Sequence, residues 1–142
     1  MFEASEYDPD AHLTIGELEF RFQPTVHYVS CWAMRVSNGV DGGLFYSADT
    51  GPSVILVPFA MGINVMVAEG AERRNSQEPF EFRGHLTPTE AGMLARQTAA
   101  KILVLSHLRV EDNPIPAVEE ARNAFGGRVR LASPGLLLNW TS

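Results

Sequence analysis

The chain has 142 residues, of which 45% are hydrophobic and 20% charged. This composition is typical of a globular protein and excludes a disordered or fibrous one. The formal net charge is -6, from 17 acidic and 11 basic side chains without any run of lysine or arginine. A nucleic-acid partner held mainly by phosphate contacts is therefore not expected. No apolar stretch reaches the roughly 18 to 20 residues that a membrane span needs, so no membrane partner is expected.

The cysteine content and the amino terminus predict a cytoplasmic protein. The single Cys31 cannot form an internal disulfide, which agrees with a reducing compartment. The first ten residues, MFEASEYDPD, are acidic where a signal peptide would be basic and then apolar. The length is that of one domain, and we expect residues 1–142 to form a single domain.

The amino-terminal third carries the alternation typical of β hairpins. In HLTIGELEFRF, the side chains of Leu18, Phe20 and Phe22 fall on one face of a strand, and Gly16 lies at the reversal before it. The segments CWAMRV and GLFYS flank SNGVDGG, whose Asn-Gly and Asp-Gly pairs favour a tight turn. We therefore expect two antiparallel hairpins in this part of the chain.

Helices and strands alternate after the hairpins. Pro52 is predicted to open a short helix in PSVILVPFAMG, and INVMVAE follows as a buried strand. Residues 71–83 lack a pattern and predict a loop. Thr87, Pro88 and Glu90 form a capping box with proline at the first helical position, which predicts a helix over TEAGMLARQTAA. KILVLS then predicts an interior strand covered on both faces.

One further helix and two strands are predicted at the carboxyl end. Asn113 and Pro114 open the helix, and the two glycines of residues 126–127 end it. Its predicted inward stripe consists of Ile115, Val118, the stem of Arg122, and Phe125. RVRLA and GLLLNW are interpreted as the last two strands. The expected fold class is α/β with a mixed sheet, with β hairpins first and alternating helices and strands after them.

Ionisable side chains follow several of the apolar runs. Asp49, Glu69 and His107 each come within three residues of the end of such a run, and His27 ends LEFRFQPTVH. His85 precedes the capped helix. Because α/β proteins place ligands at the carboxyl ends of buried strands, a cluster of these side chains at one edge of the sheet is geometrically possible. Imidazole and carboxylate together suit zinc, iron or manganese.

Each of these residues also has a structural interpretation. Asp49 lies in ADTGP, which is an ordinary turn sequence, and Glu69 before Gly70 has the setting of a solvated acid. A single histidine after a strand is commonly a surface or hydrogen-bonding residue. His12, the fourth histidine of the chain, is expected to be structural. The functional hypothesis depends on the conjunction of the other groups at element ends.

Five segments, in order along nearly the whole chain, resemble the metallo-β-lactamase fold hydrolases, in particular the branch that contains ribonuclease Z. TVHYVSCWAMRV resembles the segment with the third-motif histidine, and LFYSADTGP resembles the YSGDT segment. NVMVAEGAE is similar to the HEAT segment. GHLTPTEAGMLA and LVLSHL are similar to the two histidine segments that follow. Each match is short, and their shared order and spacing make the resemblance specific.

The resemblance implies a role for each candidate residue. His27 would be a ligand of one metal ion, His107 a ligand of a second, and Asp49 a bridge between the two. His85 would be a proton donor or a phosphate contact, and Glu69 would orient it. The implied cofactor is zinc, with manganese and iron as alternatives. Two neighbouring cations would lower the pKa of a shared water and stabilise an oxyanion during hydrolysis.

The chain departs from the pattern at three points. Ala48 replaces the usual glycine before the bridging aspartate, and Ala68 replaces the histidine of HEAT. The His-x-His-x-Asp-His motif, which would supply most ligands of the first metal, is absent from the sequence. The chain is therefore expected to resemble the carboxyl-terminal half of an αββα sandwich. We expect weak or no metal binding by this chain alone.

Half a sandwich would leave one apolar sheet face bare, and we expect a partner to cover it. A second copy of the chain and a missing amino-terminal half are both open. The expected substrate is a small-molecule phosphoester, with lactones and thioesters as further possibilities. Ribonuclease Z activity itself is not expected, because only about twenty residues separate His27 from Asp49, too few for the arm that grips tRNA. The alternative function is a non-catalytic module that oligomerises or binds a partner.

Overall fold

The computed structural model describes residues 4–39, 42–72, 79, 82–109, 111 and 113–140. Within these residues the chain forms seven strands and three helices. In chain order they are β1 Leu13–Ile15, β2 Leu18–Pro24, β3 Trp32–Ser37, β4 Leu44–Tyr46, α1 Leu56–Phe59, β5 Val65–Glu69, α2 Pro88–Gln97, β6 Ile102–Ser106, α3 Pro114–Phe125 and β7 Arg128–Leu131.

The strands form one mixed sheet in the order β1-β2-β3-β4-β5-β6-β7. The pairs from β1 to β4 are antiparallel, and Phe20 lies opposite Leu13 and Met34 opposite Tyr46. Both predicted hairpins are therefore confirmed. The pairs from β4 to β7 are parallel, and helices connect them. The predicted α/β fold class with a mixed sheet is confirmed.

The helix ends follow the capping rules that the sequence predicts. Thr87 Oγ1 accepts from the Glu90 N–H at 3.2 Å, and a Glu90 carboxylate oxygen accepts from the Thr87 N–H at 2.8 Å. This reciprocal pair satisfies two amides that the first turn of α2 leaves without helical partners. Asn113 caps α3 in a simpler way, because its side-chain oxygen accepts from the Ile115 N–H at 3.1 Å. Gly126, with φ of 74°, ends α3 in the left-handed conformation.

The helices pack on one face of the sheet. On that face Phe45, Met66, Leu103 and Val129 stand side by side across β4 to β7, and all four belong to one buried cluster. Helix α2 supplies Ala91, Leu94 and Ala95 to this cluster, and α3 supplies Ala121 and Phe125. The crossovers between parallel strands all advance in one direction, which places their helices on the same side.

The opposite face of the sheet is also apolar but is less covered. Phe22, Met34, Tyr46 and Val67 are neighbours in cross-strand register, and none of them is fully buried. Tyr46 is 42% exposed. The Tyr7 ring covers part of this face by stacking on Phe22, with ring centroids 4.3 Å apart. The two faces of the sheet therefore differ in how completely the described residues bury them.

Helix α1 is shorter than predicted. Pro52 does not occupy its first turn, because the helix begins after Ile55 and has only four residues. Two β-branched residues, Val54 and Ile55, stand where the first turn was expected, and Val54 is 86% exposed. Stiff χ1 angles disfavour a helical turn, and no side chain caps this one. The sequence prediction for Pro52 was wrong for this reason.

The prediction of a strand over GLLLNW was also wrong. Residues 135–140 form no strand, and Leu137 is 91% exposed. Instead, the Asn64 side-chain amide donates to the Trp140 carbonyl oxygen, which ties this segment to the start of β5. An apolar run becomes a strand only where another strand offers it a ladder of hydrogen bonds.

The inward stripe of α3 is shifted by about one residue from the predicted one. Ile115 is 62% exposed, and Ala121 rather than Arg122 faces the core. Val118 and Phe125 face inward as expected.

Most of the loop predicted for residues 71–83 lies outside the described residues. Among the helices that the structure describes, the longest has 12 residues, and none is long and apolar enough to cross a bilayer.

Candidate metal centre

The candidate residues lie at one edge of the sheet because of strand direction. Glu69 ends β5 and His107 follows β6, and these strands are parallel. Asp49 follows β4, which is parallel to β5. His27 follows β2, and since β2 and β4 are both antiparallel to β3, their carboxyl ends share the same edge. His85 reaches this edge from the segment before α2, where Leu86 O accepts from the Glu72 N–H at 2.9 Å.

Asp49 is the central residue of the group. One of its carboxylate oxygens lies 2.8 Å from His107 Nδ1, and the other lies 3.7 Å from His27 Nε2. Asp49, His85 and His107 each offer a ligand atom, and these atoms lie within 4.8 Å of one another. Ligands of a tetrahedral zinc stand about 3.3 Å apart at bond lengths of about 2.0 to 2.2 Å. This group of three does not include His27, and side-chain movements would be needed to bring its atoms to coordinating distance.

The tautomer of His27 supports a cation in this position. Its Nδ1 lies 2.8 Å from the Gly84 carbonyl oxygen, which can only accept, so Nδ1 carries the proton. In the neutral ring Nε2 then has a lone pair, and it faces an oxygen of Asp49. A cation can bind both of these acceptors at once, as can a proton or a water molecule that donates to each. The bond to Gly84 is the outer-shell contact that fixes a metal-binding imidazole, so the donor set fits a metal.

The backbone around Asp49 is braced by hydrogen bonds to the β2–β3 connection. Thr25 Oγ1 donates to the Asp49 carbonyl oxygen at 2.8 Å, and the Gly51 N–H donates to Val26 O at 2.6 Å. The Val26 N–H in turn donates to Thr50 Oγ1 at 3.3 Å. These bonds couple the segment that carries His27 to the segment that carries Asp49.

Glu69 is buried beneath His85 and is fully hydrogen-bonded. One carboxylate oxygen accepts from the Thr50 N–H at 2.7 Å, and the other accepts from the Ala71 N–H at 3.1 Å. His85 Nδ1 lies 3.0 and 3.1 Å from the two oxygens. Burial raises the pKa of the Glu69 carboxyl, and the hydrogen bonds from Thr50, Ala71 and His85 act against this rise. With Nδ1 held by Glu69, the His85 ring turns its Nε2 away from the acid.

The three imidazoles of the site pack against one another. The His85 ring lies between His27 and His107, with ring centroids 4.9 and 5.4 Å away and the rings close to perpendicular. Edge-to-face contacts of this kind fix the ring planes. His12, by contrast, is far along the sheet and pairs with Glu19 at 3.2 Å on the surface, which agrees with the structural role predicted for it.

Two positions of the site have strained backbone. Ala48 and His107 both have φ of 51°, and they are two of the three non-glycine residues with positive φ among the described residues. This left-handed conformation is unfavourable for residues with a Cβ and is concentrated at functional sites. At Ala48 it turns the chain sharply after β4, so that Asp49 faces the edge of the sheet. Sequence reasoning noted Ala48 in place of glycine but not the strain at His107.

All five predicted site residues are thus brought to one edge of the sheet. Sequence reasoning missed the residues that hold them, in particular Thr25, Thr50 and Gly84. Thr50 follows Asp49 in the chain, and that adjacency was the available signal. Gly84 precedes His85, but its contact with His27 joins residues 57 positions apart and left no local pattern.

Comparison with known proteins identifies the fold. No family model matches the chain. The probable metallo-hydrolase YhfI of Bacillus subtilis is 31% identical over 134 residues, which are 92% of this chain and 52% of that protein. The crystal structure of YhfI, a metallo-β-lactamase fold protein, matches with a TM-score of 0.83 at 29% identity and covers 92% of this chain and 53% of that one.

Two ribonuclease Z proteins extend the comparison. Ribonuclease Z of Haloarcula marismortui is 31% identical over 93 residues, 64% of this chain and 30% of that protein. The crystal structure of human tRNase Z, short form, has a TM-score of 0.68 at 16% identity over 92% of this chain and 46% of that one, a likeness of fold. The chain therefore has the metallo-β-lactamase fold. Within that fold it is similar to ribonuclease Z, and it spans about half the length of YhfI.

Proposed function

We propose that residues 1–142 form a single domain that is the carboxyl-terminal half of a metal-dependent hydrolase acting on a phosphoester or a related small-molecule ester. The observation that carries the proposal is the meeting of His27, Asp49 and His107, which come from three different elements of the sheet. The similarity to YhfI, named a probable metallo-hydrolase, supports the reaction class. The single Cys31, which is free, fits a cytoplasmic location.

The residues divide into metal ligands and proton-transfer groups. His27 Nε2 and His107 Nδ1 lie on opposite oxygens of Asp49, the arrangement that a bridging carboxylate would have. We propose zinc as the metal, with manganese and iron as alternatives. When bound, the metal would lower the pKa of a water molecule and stabilise negative charge on the ester oxygen.

His85 is proposed as the general acid or as a phosphate contact. Glu69 accepts from Nδ1 and so leaves Nε2 as the nitrogen that exchanges a proton with the leaving oxygen. The carboxylate also stabilises the protonated imidazole by charge. Glu69 itself is held by the Thr50 and Ala71 amides, so the pair needs no ligand from another chain to keep its geometry.

The chain is proposed to need a partner to form a complete site. Three ligands shared between two metal ions leave each ion with few protein ligands, so the chain alone is expected to bind metal weakly. The sheet face with Met34, Tyr46 and Val67 is apolar and incompletely buried, which supports a covering surface. We propose either a half that carries His-x-His-x-Asp-His or a second copy of the chain as the cover.

The proposal is tested by joining the two halves. DNA sequence upstream of the chain is read for an in-phase His-x-His-x-Asp-His segment, and the longer protein is assayed with bis(p-nitrophenyl) phosphate and added zinc or manganese. We expect hydrolysis by the longer protein and a loss on the order of 100-fold or more in kcat for Asp49→Asn. The matched control Asp10→Asn, an exposed acid away from the site, is expected to keep full activity.

Three results would contradict the proposal. The first is full activity in the Asp49→Asn variant, and the second is inactivity of a two-half protein with every metal tried. The third is the absence of an upstream segment together with a stable, inactive oligomer of the chain, which would favour the non-catalytic module. The mass of the chain in solution, measured by light scattering, distinguishes that case.

A further inference from the structure

Tyr28 lies directly beside the candidate metal centre without being part of it. Its ring centroid is 5.1 Å from that of His27 and 5.9 Å from that of His85, in tilted and edge-on arrangements. The ring therefore packs against both imidazoles at the border of the candidate metal centre. No role among the metal ligands or the proton-transfer pair requires an aromatic ring at this position.

Gly84 makes the position of this ring possible. A Cβ at residue 84 would lie 2.5 Å from Tyr28 Cε2 and 2.8 Å from Cζ, distances that real Cβ atoms do not show. The absence of a side chain lets one edge of the phenol ring rest on the backbone at Gly84. The carbonyl oxygen of the same residue accepts from His27 Nδ1 at 2.8 Å, so one residue holds both the ring and a proposed metal ligand.

More than half of the Tyr28 residue is nevertheless exposed to solvent. The residue is 59% exposed although one edge of its ring is packed, and the neighbouring Val29 is 68% exposed. An aromatic ring that is packed along one edge and partly exposed loses little conformational freedom when a planar group stacks on it. Partly exposed aromatic rings of this kind are surfaces on which proteins stack planar groups such as nucleobases.

We propose that Tyr28 is a substrate-binding residue that selects esters with a planar aromatic group close to the bond that is cleaved. The inference rests on the proposed hydrolase function, because the ester itself must bind at the Asp49 and His85 side chains. The ring of Tyr28, and not its hydroxyl, supplies the selection. Stacking interactions of this kind predict a preference of roughly threefold to tenfold for an aromatic over an alkyl group.

The test uses phenylphosphonate and methylphosphonate, which carry the same anionic group and resist hydrolysis. The chain is titrated with each compound in the presence of zinc, and binding is followed by the amide and imidazole NMR signals of the site. We expect phenylphosphonate to bind the native chain roughly threefold to tenfold more tightly. The preference is expected to fall to within about twofold in Tyr28→Leu and to persist in Tyr28→Phe, which keeps the ring.

Two further variants complete the design. Tyr7 is a second half-exposed tyrosine, stacked on Phe22 on the open sheet face, and Tyr7→Leu is expected to leave the preference unchanged. Tyr28→Trp enlarges the ring and is expected to maintain or raise the preference, which gives a readout even where the leucine variant fails to fold. A merely structural role for Tyr28 would change the binding of both phosphonates equally.

The outcomes separate this inference from the function on which it rests. Equal binding of the two phosphonates by the native chain, or an unchanged preference in Tyr28→Leu, would overturn the selection by Tyr28 and leave the hydrolase proposal intact. Binding of neither compound at the His27 and His85 signals would overturn the selection by Tyr28, whereas the hydrolase proposal is decided by the assay of the longer protein. A preference that disappears in Tyr28→Leu and survives in Tyr28→Phe and Tyr7→Leu would support the inference.

Discussion

The two halves of the candidate site are built in different ways. The Glu69 and His85 pair is enclosed, with Glu69 only 2% exposed and each carboxylate oxygen bonded to a backbone amide and to the imidazole. Asp49 and His107 are more open, with side-chain exposures of 36% and 50%. Asp49 meets one imidazole at hydrogen-bonding distance and another only at 3.7 Å.

This difference shows which part of the site the chain completes by itself. Glu69 has its hydrogen-bond partners within the described residues, and its geometry follows from the fold. The group around Asp49 contains an imidazole nitrogen with a lone pair that faces a partly exposed carboxylate, and a cation is one partner that both atoms can bind. We therefore expect the first pair to matter for stability and the second group to matter for metal binding.

The largest expected effect on stability comes from Glu69→Gln. The amide replaces one acceptor oxygen by a donor NH₂, so at least one of the N–H groups of Thr50, Ala71 and His85 loses its acceptor inside the protein. We expect the free energy of unfolding to fall by about 2 kcal/mol, measured by urea denaturation. Asp49→Asn is the matched control, and it should change stability by less than about 0.5 kcal/mol in the absence of metal. Equal losses in both variants would contradict the comparison.

The next effect concerns zinc affinity, for which Asp49 is expected to matter more than Glu69. The dialysed native chain is expected to keep less than one equivalent of zinc and to bind added zinc weakly. Asp49→Asn should raise the dissociation constant by at least about tenfold, measured by isothermal titration calorimetry. His12→Ala removes an exposed histidine away from the site and should leave the constant unchanged. A tightly held stoichiometric pair of ions in the native chain would refute the expectation of weak binding.

A smaller effect is expected at the strained residue before Asp49. Glycine adopts the positive φ of Ala48 without strain, so Ala48→Gly should stabilise the protein by about 0.5 to 1 kcal/mol. Ala99, at φ of 55° beyond the end of α2, is the matched control, and Ala99→Gly should stabilise to a similar degree. Thermal unfolding measures both. Because glycine keeps the positive φ that orients Asp49, neither variant should weaken zinc binding, and weaker binding in Ala48→Gly would contradict this account of the strain.

The smallest expected effect is a dependence of stability on pH. Burial raises the pKa of the Glu69 carboxyl above its ordinary value of 4.5, so the folded protein binds this proton more tightly than the unfolded chain. The pH-dependent part of its contribution to stability is full below the unfolded pKa and is lost as the pH rises through the folded pKa, whereas its hydrogen bonds to Thr50 and Ala71 remain. The stability difference between the native chain and Glu69→Gln should therefore shrink over that interval in urea titrations at several pH values. A stability difference that grows with pH would show that folding lowers the pKa of the Glu69 carboxyl instead of raising it.

Much of the fold and the outline of the site follow from local sequence. Thr87, Pro88 and Glu90 define the start of α2 because a capping box depends on residues close in the chain. The sequence predicts Asp49 and His107 at one edge, because the alternation of strands and helices predicts parallel strands, whose carboxyl ends share one direction.

The parts that sequence reasoning missed or misplaced depend on contacts between distant segments. The Gly84 carbonyl holds His27, and the Thr50 amide holds Glu69, through hydrogen bonds that leave no periodic pattern. Hydrophobicity predicts that Ile115 faces the core, but its direction depends on how α3 packs on the sheet. The apolar segment of residues 135–140 lacks a strand for the same reason, because only tertiary structure decides whether a ladder partner is present.

The central claim is that His27, Asp49 and His107 form a metal site at the carboxyl edge of the sheet. Crystals of the chain soaked in millimolar zinc chloride test it directly by anomalous scattering at the zinc absorption edge. The account predicts an anomalous peak about 2.0 to 2.2 Å from a carboxylate oxygen of Asp49 and from an imidazole nitrogen of His27 or His107. A peak at His12 and Glu19 without one at Asp49, at a zinc concentration that saturates the surface site, would contradict it.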